Sequence, residues 1–152
     1  MRTLERALAE IEHNSRRPEA ELRRRAETVR KQLSGLPAAV LIANNRGRYI
    51  DANRAATMLT GYSRAELLRM SVTDLTAHVS QPRGRHLWRQ FVERGRMSGV
   101  YPILHKDGRI VRARYIAAAN VLPDIHVSLL VTVPLAKAVN SQTVKRRRRS
   151  LR

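Results

Sequence analysis

From residue 110 to residue 117 the side chains alternate in kind. Ile110, Arg112, Arg114 and Ile116 fall on one side, and Val111, Ala113, Tyr115 and Ala117 on the other. A period of two marks a strand with one packed face and one wet face. This strand follows Lys106-Asp107-Gly108, whose Asp-Gly pair is a strong hairpin signal. Residues 98–105 and 109–121 therefore read as a hairpin. Leu122-Pro123-Asp124 turns the chain into a further strand at 125–133, which Pro134 ends. Upstream, the apolar run 36–43, the turn Asn44-Asn45-Arg46-Gly47 and the strand 48–51 make a second hairpin.

Helices fill the interval. Asn53 caps a short one carrying Ala55, Ala56, Met58 and Leu59, which Gly61 ends. Ser63 caps another, with Glu66 placed for a capping box. Ser71 or Thr73 starts a turn around Asp74 and Leu75. A longer helix at about 83–94 should bury Leu87, Trp88, Phe91 and Val92 before Gly95 stops it. Two strands, several short helices and three strands predict an α+β fold. Its five-stranded antiparallel sheet has short connecting helices between the second and third strands.

Two segments flank this domain of residues 36–134. Residues 1–35 read as an amphipathic, coiled-coil-like helical segment, with Leu4, Leu8 and Ile11 in a first helix. Leu22, Ala26, Val29, Leu33 and Leu36 form a four-three seam in a second helix, which Pro18 opens and Gly35 ends. Such a seam needs a cover, either the chain's own sheet or the same helix of a second copy. The latter makes Leu22, Ala26, Val29, Leu33 and Leu36 dimerisation candidates. Residues 135–152 carry seven basic and no acidic side chains, including Lys145, Arg146, Arg147, Arg148 and Arg149. Self-repulsion should keep that tail unfolded.

Composition removes several chemistries. The chain has no cysteine, so disulfides, thiolate metal sites and cysteinyl cofactor adducts are excluded. No run approaches the roughly eighteen apolar residues of a membrane span, and the start lacks a secretory signal; the expectation is a cytoplasmic protein. No nucleophile motif, phosphate-cradling glycine loop or metal-spaced cluster is present. Asp51, Glu66, Asp74, Glu93, Asp107 and Asp124 fall at caps and turns. The chain does not read as an enzyme, and no catalytic or metal-ligating residue is assigned.

The stretch Asp51-Ala52-Asn53-Arg54-Ala55-Ala56-Thr57-Met58-Leu59-Thr60-Gly61-Tyr62-Ser63-Arg64-Ala65-Glu66-Leu67-Leu68, followed at a distance by Lys106-Asp107-Gly108, resembles the signature of PAS domains, the S-box type sensor family. The resemblance implies a sensor or regulatory module in signal transduction. It would act through ligand-modulated or constitutive protein contact, as a homodimer or on a signalling partner. If the chain is complete, it has no output segment of its own. Asn53 and Gly61 carry structural roles in this reading.

Relatives of that kind hold haem, flavin, small acids or nothing. The photosensory flavin chemistry uses a cysteine that this chain lacks. Haem would need an axial histidine, and among His13, His78, His86, His105 and His126 the nearest match is His86, whose distance to Gly95 falls short of the relatives' spacing. His105 and His126 read as exposed. Ligand-pocket candidates are Met58, Leu75, Trp88, Phe91, Ala113, Tyr115 and Ala117; small residues on the strand facing large ones on the helix either interlock or enclose a pocket. A rival reading is a nucleic-acid-associated regulator that grips phosphate nonspecifically through Lys145 and Arg146 to Arg149. The formal net charge of +18 is its support.

Overall fold

The structure, a computed structural model, describes residues 2–79 and 81–133. Its elements in chain order are α1 (Arg2–Gln32), β1 (Ala39–Ala43), β2 (Tyr49–Ala52), α2 (Arg54–Thr60), α3 (Arg64–Leu67), α4 (Val72–Leu75), α5 (Gln81–Arg94), β3 (Arg96–Leu104), β4 (Ile110–Leu122) and β5 (Ile125–Thr132). The strands form one antiparallel sheet in the order β2-β1-β5-β4-β3. The expected α+β architecture is present, with its helices between the second and third strands.

The alternation along β4 sets the faces. Ala113 and Ala117 are buried, whereas Ile110 and Ile116 are exposed. The inner face of the sheet packs with α2 to α5 through Leu41, Tyr49, Leu67, Leu75, Ile103 and Leu130. β1 is buried along its whole length: Ala39, Leu41 and Ala43 face inwards, and Val40 and Ile42 face the opposite layer. A strand buried on both faces gives an unbroken apolar run rather than an alternating one, as at 39–43.

That opposite layer is α1. Ala26 and Val29 are buried against Val40, Ile42, Ile125 and Val127, with Leu22 and Leu33 at the margin. Of the two covers open to the seam, the chain's own sheet takes Ala26 and Val29. Leu36 lies beyond it, 47% exposed. A correction concerns Pro18, which does not open a second helix. α1 is a single 31-residue helix that runs through it. An interior proline forfeits one hydrogen bond and costs about 3 kcal/mol, but the strong helix formers on either side, Ala20, Leu22 and the neighbouring Glu and Arg residues, favour continuation. α1 ends at Gln32, before Gly35.

Local chemistry explains the short helices. Asn53 accepts from the Ala56 N–H at 2.9 Å and, at the same distance, from the Val40 N–H; it donates to the Ala38 carbonyl at 3.0 Å. One side chain thereby starts α2 and ties it to β1. Ser63 with Glu66 and Ser71 with Asp74 form capping boxes on α3 and α4. Gly61 has φ +78, and a Cβ there would lie 2.4 Å from the His105 ring, so glycine is needed for conformation and for space. Lys106 completes the joint. Its N–H donates to the Thr60 carbonyl at 2.9 Å, and its ammonium pairs with Glu66 at 2.9 Å. The two sequence motifs, distant along the chain, hold each other.

Candidate functional site

Between the inner face of β3, β4 and β5 and the helices α4 and α5 lies a cavity of about 350 Å³. Tyr115 and Ala117 of β4, Tyr101 and Ile103 of β3 and Leu130 of β5 form its floor. Trp88 and Phe91 of α5 form the roof, with Leu75 and Thr76 at one end. Ala117 is the small residue of that floor, and Trp88 and Phe91 leave the space between sheet and helix unfilled.

The roof is anchored. Trp88 donates its indole N–H to the Asn45 carbonyl at 2.9 Å, and its ring lies 5.3 Å from both Phe91 and His126 in edge-to-face contact, an arrangement favoured by the ring quadrupoles. Gly47, at φ +75, brings the β1–β2 turn to the Trp88 face, where a Cβ would stand 3.3 Å away. His126, expected at the surface, is 1% exposed. Its Nδ1 accepts from the Asn120 N–H at 3.1 Å while Nε2 contacts the Asn45 side-chain oxygen at 2.8 Å. That pairing uses the neutral tautomer with the proton on Nε2, and burial lowers its pKa accordingly.

Phenols line the cavity as well. Tyr101 and Tyr115 meet edge to face at 5.5 Å. Burial raises the pKa of Tyr49 and Tyr101 from the ordinary phenol value, so both remain neutral donors. Tyr101 bonds to the Thr76 hydroxyl, which itself donates to the Val72 carbonyl at 2.9 Å.

Of the sequence-derived pocket residues, Leu75, Trp88, Phe91, Tyr115 and Ala117 line this one cavity. Ala113 is fully buried in the core beside it. Met58 is not part of the pocket: it is 74% exposed, because Ala56 and Thr60 occupy the inward face of α2. Leu87, expected to be buried, sits at the rim and is 36% exposed. His86 is exposed on α5, and no histidine lines the cavity. Lys145 and Arg146 to Arg149 lie outside the described residues. Among the described residues no group of acids and histidines is arranged to hold a metal ion, and no helix is long and apolar enough to cross a membrane.

Sequence reasoning placed every acid at a cap or turn, but Asp51 is buried within β2. It accepts from Arg30 of α1 at 2.8 Å and from Arg64 of α3 at 3.0 Å. This clamp joins both faces of the sheet. The one signal available was an acid at the end of an otherwise apolar strand.

A family model described as PAS domain matches residues 37–129. The chain belongs to the PAS domain family. Solved structures agree on the fold. The PAS domain of an HTR-like protein from Haloarcula marismortui is similar at TM-score 0.60 and 14% identity, covering 78% of this chain and 99% of that one. A domain of a sensory box sensor histidine kinase/response regulator from Geobacter sulfurreducens matches at TM-score 0.60 and 16% identity, over 70% and 92% of the two chains. A light-oxygen-voltage domain studied with a flavin analogue matches at TM-score 0.59 and 19% identity, over 80% and 96%. No curated protein matches the chain. PAS domains are typical sensor modules of signal transduction, and the cavity of this one lies between its sheet and α5.

Proposed function

We propose that this PAS domain is a regulatory sensor module whose cavity is a ligand site, with occupancy altering its contacts to a signalling partner or to a second copy. The observation that carries this reading is the cavity itself, a largely apolar space with a few convergent hydroxyls, the usual make-up of a small-molecule site. The homodimer is assigned to the first half of α1. Leu4, Leu8 and Ile11 are 72%, 61% and 65% exposed, and they fall on the same helix face as Leu22, Ala26, Val29 and Leu33, about three turns further on. A second copy continues the apolar contact that the sheet begins.

The test is native mass spectrometry of the purified protein with thermal-shift screening of small molecules. A retained or stabilising compound whose effect disappears in Ala117→Trp is the expected result; no such compound from either measurement would end the reading. For the dimer, light scattering of Leu8→Glu should show monomer where the wild type is dimeric, and a monomeric wild type at tens of micromolar would refute it. Nucleic-acid binding is the second reading, favoured by the seven positive charges of the last eighteen residues. It predicts steeply salt-dependent affinity that is lost when residues 145–152 are deleted.

A further inference from the structure

The cavity also carries information about what fits it. Among the described residues, none that lines it is Asp, Glu, Lys, Arg or His. An ion placed there would lose its hydration without a partner, at a penalty that excludes it or forces its neutralisation. The charged group that acts on Tyr49 from nearby is Asp74, a carboxylate that caps α4 through the Ser71 N–H at 2.8 Å, so anions are further disfavoured. The protein's formal charge of +18 disfavours cations.

Size follows from volume. An apolar cavity of ~150 Å³ holds one benzene; about 350 Å³ therefore suits a molecule of roughly 14 non-hydrogen atoms by the same ratio. Haem and flavin mononucleotide are far larger.

Polarity follows from the hydroxyls. Thr76 donates to Val72, and Tyr101 spends its proton on Thr76 or Val72. Tyr49 is 6% exposed and lines the cavity, yet its hydroxyl has no hydrogen-bond partner among the described residues. No fully enclosed side-chain oxygen among them lacks a partner, so the Tyr49 oxygen keeps accessible surface, on a residue that lines the cavity. A buried phenol with its proton uncommitted calls for an acceptor.

Building on the ligand-site reading above, we propose that the cavity takes a neutral, largely hydrocarbon molecule bearing one hydrogen-bond-accepting oxygen, such as a ketone, aldehyde or ester, received by the Tyr49 hydroxyl. Trp88 and Phe91 cover the hydrocarbon body, and Leu87, 36% exposed, stands at the entrance.

Three isosteric probes and one parent test this by calorimetric titration and thermal shift at pH 7.5: 2-acetylnaphthalene, 2-naphthoate, 2-naphthylmethylammonium and naphthalene. The ketone should bind at least about tenfold more tightly than either ion. Tyr49→Phe should weaken the ketone about fivefold, the equivalent of one ordinary hydrogen bond, and leave naphthalene unchanged. Ala117→Trp should remove binding of both. Equal or tighter binding of naphthoate or the ammonium, abolished by Ala117→Trp, overturns the neutral class while the ligand-site reading stands. An unchanged ketone preference in Tyr49→Phe overturns the assigned acceptor contact. If no probe binds and no compound is retained by the purified protein, the ligand-site reading falls with the proposal.

Discussion

The two halves of the sheet are built differently. β2, β1 and β5 are covered on both faces, by α1 on one side and by α2 and α3 with the inner core on the other. β4 and β3 are covered on their inner face by α4 and α5, and there the packing leaves the cavity. On their outer face Ile110, Ile116 and Val100 meet solvent. A close-packed interior responds to the loss or gain of a single methylene; a cavity wall has room to yield. The contrast assigns holding the fold mainly to one half and yielding to a guest mainly to the other, with Leu41 and Tyr49 reaching the cavity from the first.

The sharpest test of the holding half is Ile42→Ala. Ile42 is fully buried between β1 and α1, so its truncation should cost about 3–4 kcal/mol in denaturant unfolding; a loss below about 1 kcal/mol would mean that α1 does not seal that face. A matched pair comes next. Ala56→Leu, in the solid core beneath α2, should destabilise by about 2 kcal/mol through overpacking. Ala117→Leu, against the cavity, should change stability by less than about 0.5 kcal/mol, since added methylenes find empty space. Equal effects would erase the distinction between the halves.

Asp51→Asn sharpens the role of the clamp. Arg64 is 56% exposed and solvent screens its share, while Arg30 is 29% exposed. About 1–2 kcal/mol is expected, with increased hydrogen exchange in the last turns of α1. Unchanged exchange there would show that the apolar seam alone seats the helix.

The smallest effect is on pH. His126 is held neutral, with a pKa below 6.5 because burial disfavours the cation. The unfolded chain binds its proton more readily, so this contribution is complete above about pH 6.5 and is lost as pH falls through the lower folded value. Unfolding followed from pH 7.5 to 5 should show a mild decline that His126→Gln lacks; an identical decline in the variant would assign it elsewhere.

What was readable in the sequence depended on range. The Ser63–Glu66 box, the helical turn begun at Ser71, the Asn53 cap and the Asp107-Gly108 turn close within a few residues, and all appear where expected. The burial of His126 depends on Asn45, 81 positions away. The clamp on Asp51 reaches 21 residues back to Arg30 and 13 forward to Arg64. Local spacing says nothing about such partners. The seam of α1 announced that it must be covered, but Leu22 and Val29 read the same against a sheet as against a second helix. Met58 was misplaced for a similar reason: on so short a helix, the inward face is decided by what it packs against.

The position of β5 has a further consequence, for biosynthesis. It is the last of the five strands to be synthesised, yet it lies at the centre of the sheet, between β1 and β4. Until Ile125 to Thr132 have left the ribosome, the β1–β2 and β3–β4 hairpins have no strand to join them, and each offers an unpaired edge to other chains. α1 has half of its seat missing over the same interval, since Ile125 and Val127 form part of it. Folding of the domain must therefore wait for nearly all of residues 36–133, and a nascent chain stalled before Ile125 is a substrate for chaperones rather than a shorter sensor.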